Sequence, residues 1–299
     1  MRLRRITAIV GVLALVLVVL ALSVQPAARV YRHFFSSPPP VPRHAYTTLR
    51  HPRGTRPARL SVEPFSLHSS LLARSLEQVL VLPAGKSAGR PLLVLLHGRG
   101  SSPGAFLNSA WLNGLAALGQ KAPIVLLVNG GDSSYYHDRS GGRWGSYLMN
   151  EVIPAALRRT AADPRRIAIG GISMGGFGSL HFALTQRGKF CAVGGHSAAL
   201  WATGGETPQG AFDDAADFAR NDVIGMAGSR SQPLGKTRVW LDVGDRDPFF
   251  SADSELARVL RKHGQKVTFH VWPGSHFGAY WNKHVAAYLR FYADALAAC

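Results

Sequence analysis

The sequence predicts an α/β fold in which a mostly parallel central sheet is covered by helices on both faces. Two observations carry this. Short apolar runs recur at Gln78–Leu82, Leu92–Leu96, Ile124–Val128, Arg166–Ile169, Phe190–Val193, Arg238–Val243 and Val267–Trp272. Segments patterned for helices lie between them, at about residues 146–161, 174–186, 253–263 and 279–298. Runs that stay apolar without alternation are buried on both faces, and intervening helices imply parallel crossovers. Residues 64–299 read as one domain without internal repeats, within the ordinary size of a single α/β core.

The chain starts differently. Arg2, Arg4 and Arg5 precede an uncharged run from Ile6 to Val24. Such a run approaches the ~20 residues that cross a bilayer and exceeds the ~7–15 of an ordinary signal-peptide core. Residues 1–24 therefore read as a transmembrane signal anchor, with a long cleavable signal peptide cut near Ala27-Ala28 as the alternative. Either reading puts the rest of the chain outside the cytoplasm, membrane-anchored or secreted, as in a bacterial cell envelope. Residues 25–63, rich in Arg and Pro and including Ser36-Ser-Pro-Pro-Pro40, read as an extended linker.

The formal charge of +17 belongs largely to that region. Residues 1–60 hold ten arginines and no acid, which leaves 24 basic against 17 acidic residues, a net of +7. The arginines are scattered among prolines without a binding motif, so the composition argues against a nucleic-acid partner. Anionic headgroups or a solvated stalk are the two readings of the linker. There are two cysteines. Cys191, in an apolar run, reads as a buried thiol, and a bond to Cys299 stays open in an oxidising compartment.

The segment Arg166-Ile-Ala-Ile-Gly-Gly-Ile-Ser-Met-Gly-Gly-Phe-Gly-Ser-Leu-His-Phe-Ala-Leu184 carries the chemistry. An apolar run enters a glycine cluster, Ser173 sits at its centre, and a helical segment follows. Gly171-x-Ser173-x-Gly175 is the pattern of a nucleophile elbow, whose strained turn exposes a serine hydroxyl. The glycines leave room for the close strand and helix, and the helix N-terminus presents free N–H groups to a developing oxyanion.

A serine needs a base and a group to orient it. The last third of the chain offers both, each past the end of a strand. Asp247 follows the run Arg238–Val243 and precedes Pro248, and it reads as the acid, with Asp245 as the alternative. Asp242 lies within the strand pattern and reads as structural. His276, in Pro273-Gly-Ser-His276, reads as the base, while His270 falls inside a strand. The backbone N–H of Met174, directly after the nucleophile, is one expected oxyanion donor. Arg99, in His97-Gly-Arg-Gly100 after the run Leu92–Leu96, is the other, with His97 as a structural partner of that loop. No cysteine–histidine spacing suggests a zinc site, and the triad chemistry implies no metal or organic cofactor.

With these motifs in order, the chain resembles the α/β-hydrolase esterases grouped with esterase D (S-formylglutathione hydrolase), feruloyl esterases and the antigen 85 mycolyltransferases. The resemblance covers about residues 75–298. It rests on Leu95-Leu-His-Gly98, the elbow, Gly244-Asp-Arg-Asp-Pro-Phe249 and Pro273-Gly-Ser-His276. Asn129-Gly-Gly-Asp-Ser-Ser-Tyr-Tyr-His-Asp138 and Trp144-Gly-Ser-Tyr-Leu-Met-Asn-Glu151 are especially similar to the mycolyltransferases, where that stretch lies near the cleft. The resemblance implies an α/β-hydrolase fold and acyl chemistry at Ser173. Tyr135 and Trp144 are accordingly candidates for stacking on a sugar or acyl chain, or else pack the loop. Two departures favour hydrolysis over transfer to trehalose: His97-Gly-Arg-Gly replaces the mycolyltransferase Asp-Gly-Leu-Arg, and the acid is Asp rather than Glu.

The expected function is thus a serine carboxylic-ester hydrolase acting on an ester of a lipid or an acylated sugar. The alternatives are an envelope acyltransferase passing the acyl group to a sugar or lipid hydroxyl, and a non-catalytic binding module. Loss of Ser, His or acid would mark the last of these, and all three are present.

Overall fold

A computed structural model describes residues 58–299. The anchor or signal segment and nearly all of the linker lie outside the described residues. The chain begins with a hairpin, β1 (Leu60–Ser69) and β2 (Arg74–Pro83), then β3 (Leu92–Leu96), α1 (Ser109–Ala117) and β4 (Ile124–Val128). A two-residue-strand hairpin, β5 (Asp138–Arg139) and β6 (Gly142–Arg143), leads into α2 (Trp144–Tyr147), which continues through one π-helical turn, Leu148–Val152, into α3 (Ile153–Thr160). Next come β7 (Ile167–Ile172), α4 (Met174–Thr185), β8 (Ala192–His196), α5 (Ala215–Asn221) and α6 (Val223–Gly228). The fold closes with β9 (Arg238–Gly244), α7 (Phe250–Lys262), β10 (Val267–Trp272) and α8 (Gly278–Ala297).

Eight strands form one sheet in the order β1-β2-β4-β3-β7-β8-β9-β10. The pairs β1–β2 and β2–β4 are antiparallel, and every later pair is parallel. The expected mostly parallel α/β sheet is therefore present, with an antiparallel hairpin added at one edge. Its two faces bury separate cores. Leu92, Val94 and Leu96 of β3 face the core shared with α3, α4 and α7, while Leu93 and Leu95 face the one shared with α1 and α8. Side chains alternate across a strand, so five consecutive leucines and valines serve both faces. Each such side chain contributes about 1.5–3 kcal/mol on burial.

Differences from the sequence reading have local causes. β1 begins at Leu60, inside the segment read as linker, so the domain starts earlier than residue 64. That strand is a half-exposed edge with Pro64 in its middle, and it carries little apolar signal. β7 and β8 run on to Ile172 and His196 through glycines that lie beyond the apolar runs. A Cβ at Gly170 or Gly194 would lie 1.8 or 1.9 Å from the Tyr292 hydroxyl, so these glycines make room for a tyrosine of α8. The π turn stands directly before Pro154, whose missing N–H cannot join a regular α ladder.

Cys191 is not the free thiol expected from its apolar surroundings. It is disulfide-bonded to Cys299 across 108 residues, which ties the entry of β8 to the end of α8. No helix among the described residues is long and apolar enough to cross a membrane.

Candidate active site

The site lies at the carboxyl ends of the parallel strands, where loops after β3, β7, β8, β9 and β10 meet. Ser173 links β7 directly to α4, with φ 56° and ψ −116°. A non-glycine residue there is strained and needs support. Its N–H donates to the His196 carbonyl at 3.1 Å, and its own carbonyl accepts from Phe177 and Ala199, each at 3.0 Å. The flanking glycines are required by space. A Cβ at Gly171 would stand 2.3 Å from the Gly175 backbone, and one at Gly175 would stand 1.9 Å from the Leu96 carbonyl oxygen.

His276 follows β10 and Asp247 follows β9. His276 Nε2 lies 2.9 Å from Ser173 Oγ, and His276 Nδ1 lies 2.9 Å from Asp247 Oδ2. A carboxylate accepts only, so the imidazole proton sits on Nδ1, and Nε2 accepts from the serine hydroxyl. The other carboxylate oxygen, Oδ1, accepts from Phe249 N–H at 2.9 Å, which leaves Asp247 fully buried yet satisfied. Ser173 is itself only 7% exposed. Phe249 and Trp281 hold the imidazole edge-on from their own sides, with ring centroids 5.1 and 5.0 Å away.

Asp245 has a different task. Its side chain is 48% exposed and accepts from the Gly274 N–H at 2.9 Å. Arg246 N–H donates back to the Gly274 carbonyl at 2.9 Å, and Ser275 Oγ donates to the Arg246 carbonyl at 2.9 Å. The loop that holds the acid and the loop that holds the base are thereby fastened to one another. Asp242, expected to be structural, is a buried hub: His196, Trp240, Tyr280 and Tyr288 all reach its carboxylate.

The two expected oxyanion donors are also adjacent to the nucleophile. Met174 is the first residue of α4, so its N–H has no partner within the helix. The Arg99 N–H donates to no protein atom among the described residues. A Cβ added to Gly98 would stand 3.5 Å from that of Ser173, so this loop passes beside the hydroxyl. His97 is fully buried, and burial lowers its pKa to about 4.

The two aromatic candidates separate. Trp144 is buried over Gly131 and Gly142, against Tyr147 and beneath Arg74, so it packs the loop and does not line the cleft. Tyr135 is buried among Phe177, Trp201 and Phe212. Trp201 in turn meets Phe249, which meets His276, so an aromatic chain joins Tyr135 to the base. Trp201, Phe212 and Trp281 are absent from the sequence reading, since they lie in loops or helix turns without a motif, and Phe249 entered it only as the end of the Gly244–Phe249 motif, without a role.

The segment between β8 and β9 that supplies Trp201 and Phe212 is clamped to the β5–β6 region. Ser140 donates to Asp213 through N–H and Oγ, Arg139 donates to the Gly210 carbonyl, and buried His137 meets buried Asp217 at 3.1 Å. Among the described residues no group of three or more His, Cys, Asp or Glu is placed to hold a metal.

Comparison with known proteins bears on the family and the fold. Residues 69–292 match the family described as Putative esterase. The chain belongs to that esterase family. It is 27% identical over 233 residues to esterase Rv1288 of Mycobacterium tuberculosis, covering 64% of this chain and 50% of that protein. The chain thus spans half the length of that relative. An acetyl esterase of Caldicellulosiruptor saccharolyticus is 23% identical over 260 residues, covering 76% of this esterase-family chain and 96% of the relative. In three dimensions the fold is similar to a ferulic acid esterase, with a TM-score of 0.71 at 21% identity, covering 79% of this chain and 99% of that one. The fold is that of the α/β-hydrolases.

Proposed function

We propose that this esterase-family chain is a serine carboxylic-ester hydrolase that works through an acyl-enzyme on Ser173. The observation that carries the reading is the unbroken chain Ser173 Oγ–His276–Asp247, with both contacts at 2.9 Å. His276 takes the hydroxyl proton as Ser173 attacks the ester carbonyl, and Asp247 stabilises the imidazolium. The N–H groups of Met174 and Arg99 receive the oxyanion. The alcohol leaves with the proton from His276, and water then repeats the sequence to release the acid. The relatives named esterase and acetyl esterase support an ester as substrate.

The experiment is hydrolysis of a short-chain aryl ester by the parent and by Ser173→Ala. The variant is expected to lose several orders of magnitude in kcat; undiminished turnover would overturn the reading. Supplying candidate sugars in the same assay distinguishes hydrolysis, which yields free acid alone, from transfer to an acceptor hydroxyl. We further propose an extracytoplasmic location, tethered or released at residues 1–24. Support comes from the apolar run Ile6–Val24 and from the Cys191–Cys299 disulfide, since such bonds persist in oxidising compartments.

A further inference from the structure

We infer that His97 is a positioning residue that sets the orientation of the Gly98–Arg99 peptide and thereby aims the Arg99 N–H at the oxyanion. The inference rests on the acyl-enzyme reading and adds to it a residue that touches neither substrate nor nucleophile. The argument begins with a backbone donor. The Gly130 N–H points at His97 Nε2, 3.1 Å away. A nitrogen that accepts a hydrogen bond carries no proton, so the proton of the neutral ring sits on Nδ1. His97 Nδ1 lies 2.9 Å from the Gly98 carbonyl oxygen, and it is therefore the donor in that contact.

That carbonyl belongs to the peptide whose nitrogen is Arg99. In a trans peptide the C=O and N–H point in opposite directions, so holding one holds the other. The Ser101 N–H also donates to the Gly98 oxygen, at 3.2 Å, and closes the turn from the far side. With Gly98 on one side of it, this peptide has little steric resistance to rotation. The imidazole supplies the resistance.

The ring itself has little freedom. His97 is fully buried, its carbonyl accepts from Tyr136 Oη at 3.1 Å, and the Gly100 N–H is held by the Asp132 carbonyl at 2.7 Å. Tyr136 also fills the space beside Gly130 and Gly178, which links the loop after β4, the oxyanion loop and the nucleophile helix. Burial opposes a second proton on His97, so the donor–acceptor arrangement holds at neutral pH.

Two substitutions divide the functions of the ring. His97→Asn puts an amide N–H near the Nδ1 position and can still donate to Gly98. His97→Gln puts its amide oxygen near Nε2, satisfying Gly130 but leaving the Gly98 carbonyl without its side-chain donor. His97→Gln is expected to lose about 10²–10³-fold in kcat, as for removal of one oxyanion donor, with KM little changed. His97→Asn is expected to recover most of that loss. A merely structural histidine would give equal rates in the two variants, or a loss confined to KM, and either result would overturn the inference. The tautomer is tested in the parent enzyme, whether or not the variants fold. Nitrogen-15 NMR of labelled histidine is expected to show His97 protonated on Nδ1; protonation on Nε2 would overturn the inference. That measurement needs no turnover, so failure of the hydrolase reading in Ser173→Ala is separately visible.

Discussion

Asp245 and Asp247 are two residues apart on one turn, and the sequence offers both to His276. The structure separates them by burial: Asp247 turns inward to His276 and the Phe249 N–H, whereas Asp245 turns outward to Gly274. Asp247→Asn leaves the imidazole in the wrong tautomer and is expected to lower kcat about 10⁴-fold. Asp245→Asn is expected to keep kcat within tenfold and to show its effect as a lower Tm, because it weakens a loop brace. Parallel kinetics and melting curves check both. A third carboxylate behaves differently. Asp253 is fully buried, and burial together with the charges of Asp247 and Asp242 pushes its pKa well above the usual range, opposed only by the Ala198 backbone. Its folded state keeps a proton that the unfolded chain releases near pH 4, so its contribution is full below that pH and is lost as pH rises. Asp253→Asn, which stays neutral, is expected to be more stable than the parent at pH 8, with the gap closing towards pH 4. Urea unfolding at the two pH values measures this.

At the scale of elements, glycine carried two opposite meanings. In Gly171-x-Ser173-x-Gly175 it marked the turn that the elbow requires, and the residues on both sides could be read correctly. In Gly170 and Gly194 the same residue type stands inside a strand, where the reason is a side chain more than 95 residues away. No local pattern reports Tyr292. Gly194→Ala is expected to destabilise by about 1–3 kcal/mol through overpacking, because Tyr292 is buried and its hydroxyl is held by His196 at 2.9 Å. Pairing it with Tyr292→Phe, which removes the colliding oxygen, is expected to cost less than the sum of the two changes; urea titrations of the single and double variants form the test. At Trp144 the alternatives of stacking on a ligand and packing the loop resolve to packing, because Gly131 and Gly142 beside it provide the niche.

For the whole molecule, the succession of buried apolar runs made the central sheet legible, because parallel strands buried on both faces need no partner to be recognised. The edge strand β1 escaped, since a half-exposed strand shares its composition with loops. The segment between β8 and β9 escaped for a related reason: its loop is held by Ser140 and Arg139 and its first helix by His137, which are distant in sequence. The disulfide was left open because pairing is a property of the closed fold. A cross-link spanning about 100 residues is worth up to about 4–5 kcal/mol by the loss of unfolded-state entropy. Cys299→Ser is therefore expected to lower the urea midpoint substantially with little change in kcat, as the bond lies at the opposite ends of the strands from Ser173.

The fastening of the β9 and β10 loops has a mechanical meaning. Asp245, Arg246, Gly274 and Ser275 make the acid and the base two points on one rigid bracket, while the serine is mounted separately on β7 and α4. Play in the assembly is thus concentrated at a single joint, between Oγ and Nε2, across which the proton must travel. The Nδ1–Asp247 contact that fixes the tautomer lies within the bracket, and the Oγ–Nε2 contact is the one that crosses from bracket to elbow.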